Sequence, residues 1–185
     1  RQDLNLILSG GGTLTMSGSS SSNNGLASTG YLNATVAAGS AVNLVGNSTA
    51  SAASAVLLSN TMNLLASSGN VTGGGNLTIT GNQSGADVGV WTAGLTANVQ
   101  AGNLVVLGIG NTTIGFNQFG TISANIAANA SASFSGTTNS GSGYVIGGRI
   151  VNMTGGGNLT LAGTSGTGFG FNIYLDQLLR SSGIC

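Results

Sequence analysis

The chain has 185 residues, with 34 glycines, no proline and a net charge of zero. Its charged residues are Arg1, Asp3, Asp87, Arg149, Asp176 and Arg180; lysine, glutamate and histidine are absent. That excludes the basic patch that nucleic acid or an anionic membrane demands, and no segment is apolar enough to span a bilayer.

Leu4, Leu6 and Leu8 alternate with polar residues, so the chain opens on a strand. They precede Leu14 by the intervals at which Leu32, Ala34 and Val36 precede Val42, so residues 1–8 read as the end of an incomplete first coil. Leu14-Met16-Gly18 then begins a unit that recurs as Val42-Leu44-Gly46, Leu77-Ile79-Gly81, Leu104-Val106-Gly108, Ala132-Phe134-Gly136 and Leu159-Leu161-Gly163. The step from one start to the next is nearly constant, except for one longer step from Val42 to Leu77. A fixed period in the twenties marks a stacked repeat. Gly18, Gly46, Gly81, Gly108, Gly136 and Gly163 are expected at corners, supplying the positive φ of a sharp bend.

Ser, Asn and Gly fill the loop after each unit, as in residues 19–25, 82–87, 137–143 and 164–168. A short second strand follows, such as residues 88–91 or 144–146. Leu32-Ala34-Val36, Leu95-Ala97-Val99 and Ile122-Ala124-Ile126 form third strands. Their offset from the coil's first apolar residue is constant: Leu14 to Leu32, Leu77 to Leu95 and Leu104 to Ile122 are equal intervals. Met62 and Leu64 fill the same slots in coil two, whose surplus of about seven residues is expected near residues 66–72. In coil five the run Arg149 to Met153 stands one residue out of phase, with Arg149 at a corner or beginning an outward run. After Phe169, Phe171, Ile173 and Leu175, residues 176–180 read as a short capping helix or as one more strand. Residues 176–185 are thus a candidate terminal cap.

The expected fold is all-β: a right-handed parallel β-helix (β-solenoid) of about six coils, with three short strands per coil and a 27–28-residue period. It forms one domain over residues 1–185. Such a stack accounts for the missing charges. Equivalent residues lie about 4.8 Å apart, so a repeated Lys or Glu would build a column of like charges, whereas Thr, Ser and Asn can hydrogen-bond along it. An open end of the stack leaves N–H and C=O groups and core unpaired, so a further copy or a neighbouring domain is expected there.

Gly73 to Thr78 and Gly155 to Thr160 both read Gly-Gly-Gly-Asn-Leu-Thr, and Gly10 to Thr15 is a near copy. With the Thr/Gly/Ser loops and Leu-Thr-Ala-Asn-Val third strands, the chain resembles haemagglutinin-like repeats over roughly residues 4–175. These repeats form the shafts of filamentous-haemagglutinin and two-partner-secretion adhesins. The resemblance implies a bacterial protein that is secreted or on the cell surface, with a role in cell adhesion, aggregation or biofilm. Its implied partners are copies of itself, the rest of a longer adhesin chain, and host or matrix glycans.

No catalytic site is expected. The three Asp residues are 84 and 89 positions apart, without the paired carboxylates or strong base that glycan cleavage requires. Asp87 reads as a turn residue. No cofactor or metal is expected: Gly-Gly-Gly-Asn lacks the Asp of calcium-binding repeats, and no Lys follows the glycines as in a phosphate loop. Nine Asn-x-Ser/Thr sequons, at Asn33, Asn47, Asn70, Asn76, Asn82, Asn111, Asn129, Asn152 and Asn158, read as side-chain ladders rather than glycosylation sites. An alternative function is a glycan- or ice-binding face. Only one outward pair of six, Thr78 and Thr80, is Thr-x-Thr, and Val105 and Leu107 interrupt that face. Trp91, Val105 and Leu107 are the candidate contacts, with Trp91 expected outward; Tyr31, Tyr144 and Tyr174 are further aromatic candidates, and partial burial under a loop or against a neighbouring filament is the other reading of these four aromatics. Cys185 is the single cysteine, so no internal disulfide forms.

Overall fold

The computed structural model describes residues 4–28, 32–66, 75–120, 122–147, 150–173 and 178–181. They hold seventeen strands and no helix. Strand β1 (Leu4–Leu8) leads into the first complete coil: β2 (Gly12–Ser20), β3 (Leu26–Ser28) and β4 (Leu32–Val36). Coil two is β5 (Ser40–Ser48) and β6 (Val56–Ala66), and coil three is β7 (Gly75–Gln83) and β8 (Val90–Val99). Coil four comprises β9 (Gly102–Gly110), β10 (Ile114–Gln118) and β11 (Ile122–Ile126). Coil five comprises β12 (Ala130–Thr138), β13 (Ser142–Ile146) and β14 (Ile150–Thr154); coil six, β15 (Asn158–Ser165), β16 (Phe171–Ile173) and β17 (Leu178–Ser181).

The chain is a β-solenoid, and every strand pairing among the described residues is parallel. The first strand of each coil forms a six-stranded wall, in the order β2-β5-β7-β9-β12-β15, so five turns separate its first strand from its last. The second and third strands form two further ladders. These join into one eleven-stranded sheet because β6 and β8 run through both without a break. In β6 the run is accommodated by a register shift between Leu58 and Thr61.

The apolar spacing fixes the register of the long wall. Leu14, Val42, Leu77, Leu104, Ala132 and Leu159 stack in one column. Leu4, Leu32, Met62, Leu95, Ile122 and Val151 stack in the third-strand column. Val151 lies one position further from Ala132 than Leu32 does from Leu14, which is the expected displacement of coil five; Arg149 lies outside the described residues. In coil two, Val56 lies two positions further from Val42 than its partner Leu26 does from Leu14. Part of the surplus therefore sits before the second strand. The rest falls after Ala66, where residues 67–74 lie outside the described residues.

Inward residues form a continuous core. Val42, Leu44, Leu77, Ile79, Leu104 and Val106 are fully buried from the long wall, facing Val56, Val90, Phe116 and Tyr144 from the second ladder. Burying a side chain of this size contributes about 1.5–3 kcal/mol. From Phe116 onward the second ladder is aromatic. Phe116 stacks on Tyr144 at 4.8 Å and Tyr144 meets Phe171 edge-on at 5.0 Å.

The six glycines expected at corners lie inside the long strands instead. None of them is in the left-handed region; glycines such as Gly102 (φ 86°) and Gly155 (φ 86°) are. Gly18 to Gly163 share the inward parity of the apolar pairs and pack against the second ladder. A Cβ on Gly18, Gly81, Gly108, Gly136 or Gly163 would lie 1.8–2.1 Å from the carbonyl oxygen of Gly25, Gly89, Gly115, Gly143 or Gly170, respectively. Ala55 takes the opposing place beside Gly46. Two walls thus meet backbone to backbone along a glycine seam, and close approach, not a bend, requires the glycines.

Over residues 178–181 the chain takes the second of the two readings, a strand and not a capping helix: β17 pairs with β14 through Ile150↔Leu178 and Val151↔Leu179. One edge of β14 offers unpaired ladder groups, whereas a single helical turn carries a nucleation cost. Residues 176, 177 and 182–185, including Cys185, lie outside the described residues. The end rungs differ from the interior. Among the described strands β2 pairs only with β5 and β15 only with β12, and Leu14, Met16, Leu159 and Leu161 are only partly buried.

Candidate functional site

The ladder interior fixes the direction of Trp91. Its strand neighbours Val90 and Thr92 are fully buried, so alternation turns Trp91 outward. In register it lies between Leu57 and Asn117. These three residues form the floor of an open groove of about 440 Å³. Loop residues Asn23, Asn24, Ala52, Ala53 and Ser54, with Asp87 and Val88, complete it.

Specific bonds hold the loops of the rim. Ser48 Oγ donates to the Asn23 carbonyl at 2.9 Å. The buried Gln83 donates its amide to the Ala53 carbonyl and accepts the Gly85 N–H at 2.8 Å. The Ala55 N–H donates to the Val88 carbonyl at 3.0 Å. Asp87 has the turn role expected of it: its Oδ1 accepts the Val88 N–H at 2.8 Å, and its carbonyl accepts the Thr113 hydroxyl at 2.7 Å. Asp3 and Asp176 lie outside the described residues.

Phe119 lies next to Trp91 but outside the lining of the groove. It is 64% exposed, and its ring lies 6.3 Å from Trp91 at an interplanar angle of 23°. Its N–H donates to the Thr92 carbonyl at 2.9 Å, which ties it to the strand of Trp91. The sequence gives no periodic signal for Phe119, since it falls just past the end of β10.

Val105 and Leu107 lie on the outer face of the long wall, half-buried, on a different wall from Trp91. Ile109, 38% exposed, continues their line along β9; the alternation that identifies Val105 and Leu107 also points to it. Around this strip the face is polar and laddered. Asn82 Nδ2 donates to Asn47 Oδ1 at 2.9 Å, Asn103 Nδ2 to Asn76 Oδ1 at 3.1 Å, and Ser131 Oγ to Asn103 Oδ1 at 2.6 Å. Asn139 Nδ2 donates to Asn111 Oδ1 at 3.0 Å. Four sequon asparagines, Asn47, Asn76, Asn82 and Asn111, therefore take part in side-chain ladders.

Tyr144 is not a contact residue. It occupies the interior slot of Phe116 and is fully buried, while Tyr31 and Tyr174 lie outside the described residues. Among the described residues its hydroxyl has no hydrogen-bond partner, nor does the amide of the buried Gln118. Burial pushes the Tyr144 phenol far above its usual range. An unpaired buried hydroxyl costs about 1–3 kcal/mol, so Tyr144→Phe, which keeps the ring stack, should raise stability by about 1–2 kcal/mol in urea unfolding. The raised value favours the folded state fully below the unfolded phenol value near 10. Above it, that contribution falls by about 1.4 kcal/mol per pH unit, and Tyr144→Phe should remove one tyrosine's share of the fall. A variant less stable than the parent at neutral pH would contradict this.

Among the described residues, no three of His, Cys, Asp and Glu come together. No family model matches the chain, and no curated protein or solved structure matches it.

Proposed function

We propose that this chain is an extracellular structural and adhesive β-solenoid, a shaft segment or filament subunit on a bacterial surface or in the medium, working in cell adhesion, aggregation or biofilm without catalysis. The observation that carries this is the contrast between interior and end rungs. Inside, the ladders of the long wall are paired on both edges and the core is buried; at β2 and β15 the described ladder stops with one edge unpaired and its leucines half-buried. The end rungs have nearly the same cross-section as the interior rungs, so the natural occupant of either edge is another rung, from a second copy or from further coils. The near absence of charge suits such stacking, because no column of like charges forms across the junction. The repeated Gly-Gly-Gly-Asn-Leu-Thr units support the same reading through their resemblance to adhesin shafts.

The junction is tested by placing charge in it. Leu161 is half-exposed at the end rung, so Leu161→Lys should leave the fold intact by circular dichroism yet abolish concentration-dependent association in sedimentation velocity. Met16→Lys should do the same at the other end. Association that persists in both variants, or a parent chain that stays monomeric at all concentrations, would sink the stacking reading.

A further inference from the structure

We infer that the groove beside Trp91 is a binding site for a neutral saccharide, a lateral site independent of end-to-end stacking. A saccharide presents two chemistries at once: an apolar C–H face and a rim of hydroxyls that both donate and accept hydrogen bonds. The groove offers both complements. The half-buried indole of Trp91, flanked on the groove floor by Leu57, supplies a flat apolar platform. Asn23, Asn24 and Asn117 line the same groove, and each carboxamide carries a donor pair and an acceptor. This composition of one aromatic surface and a few placed polar groups, at about 440 Å³, falls within the ~300–1,000 Å³ of small-ligand sites.

Charge selects the class of sugar. The one charged residue lining the groove is Asp87, and no Arg or Lys reaches it among the described residues. A uronate, sulfate or phosphate group would meet a carboxylate with no cation to pair it, whereas neutral hydroxyls can donate to the same oxygens. The platform is also prearranged. Trp91 and Asn117 are ladder partners in parallel strands, and the rim loop is pinned through Gln83, so little ordering is required on binding.

Trp91 is the chain's one tryptophan, so its fluorescence reads the groove directly. Cellohexaose, maltohexaose and N,N′-diacetylchitobiose-type oligomers are titrated into the parent chain, with oligogalacturonate as the anionic counterpart. At least one neutral oligomer should give a saturable spectral shift with Kd of about 1 mM or tighter, and oligogalacturonate should give none. Asn117→Ala should weaken that binding about 5- to 10-fold, as expected for one lost hydrogen bond. Ser135→Ala, on the other wall, should leave it unchanged. The same titrations on the Leu161→Lys chain should give the same Kd, which separates this site from the stacking junction. No saturable response to any neutral oligomer, equal binding of oligogalacturonate, or affinity untouched by Asn117→Ala would each overturn the inference.

Discussion

Gly108→Ala should unfold or nearly unfold the domain, a loss beyond about 4 kcal/mol, in the range reserved for drastic steric or core defects. The added Cβ would lie 2.0 Å from the Gly115 carbonyl oxygen, 2.6 Å from its carbon and 3.0 Å from the Val90 nitrogen. All three are backbone atoms, so no side chain can rotate away. The backbone cannot yield either, because Gly108 is held in register by Gly81 on one side and Gly136 on the other. The seam's other side should respond alike: a Cβ on Gly115 would lie 2.3 Å from the Thr137 nitrogen. Ser135→Ala, on the outer face next to Gly136, should change stability by no more than about 0.5 kcal/mol. Urea unfolding followed by circular dichroism separates the cases. A Gly108→Ala midpoint equal to the parent's would show that the two walls do not meet as described.

The second large effect lies in the aromatic stack. Phe116→Ala should cost about 3–5 kcal/mol. Its ring is fully buried, and its centroid lies 4.8 Å from that of Tyr144 and 6.5 Å from that of Phe134. Removing it opens a cavity that neither ladder can close, since both neighbouring rungs fix the spacing. Phe171 is only partly buried at the end of the same column, so Phe171→Ala should cost clearly less. In a stack where each coil contacts only its neighbours, damage at Phe116 should weaken coils four to six before coils one and two. Amide hydrogen exchange resolves this: β10, β13 and β16 should lose protection before β5. Uniform loss along the chain would contradict a one-dimensional stack.

The apolar framework was legible in the sequence. Two-residue alternation and a nearly constant coil length locate the columns from Leu14 to Leu159 and from Leu4 to Val151, even across the irregular second and fifth coils. The role of the glycines was not. Glycine is both the most permissive and the smallest residue, and its presence alone does not say which property is in use. Parity held the answer: Gly108 points the same way as Leu104 and Val106, and Gly115 follows within the same coil. For Tyr144 the residue type leaves contact and burial both open, and its ladder register, in the slot of Phe116, decides for full burial. Of the groove only the outward Trp91 was legible, from alternation along its strand. The loops that complete it come from coils one, two and three, and their approach is set by the stacking of the coils. The strand over residues 178–181 was one of two readings, decided only once the open edge of β14 was in place.

Fibre diffraction combined with electron microscopy of the concentrated chain tests most directly whether these rungs continue from copy to copy. The expected result is rods of constant width, growing in steps of about 29 Å for six rungs at ~4.8 Å each, with the 4.8 Å reflection along the rod axis. Isolated particles that do not lengthen with concentration, or fibres whose ~4.8 Å reflection lies across the axis, would contradict the account.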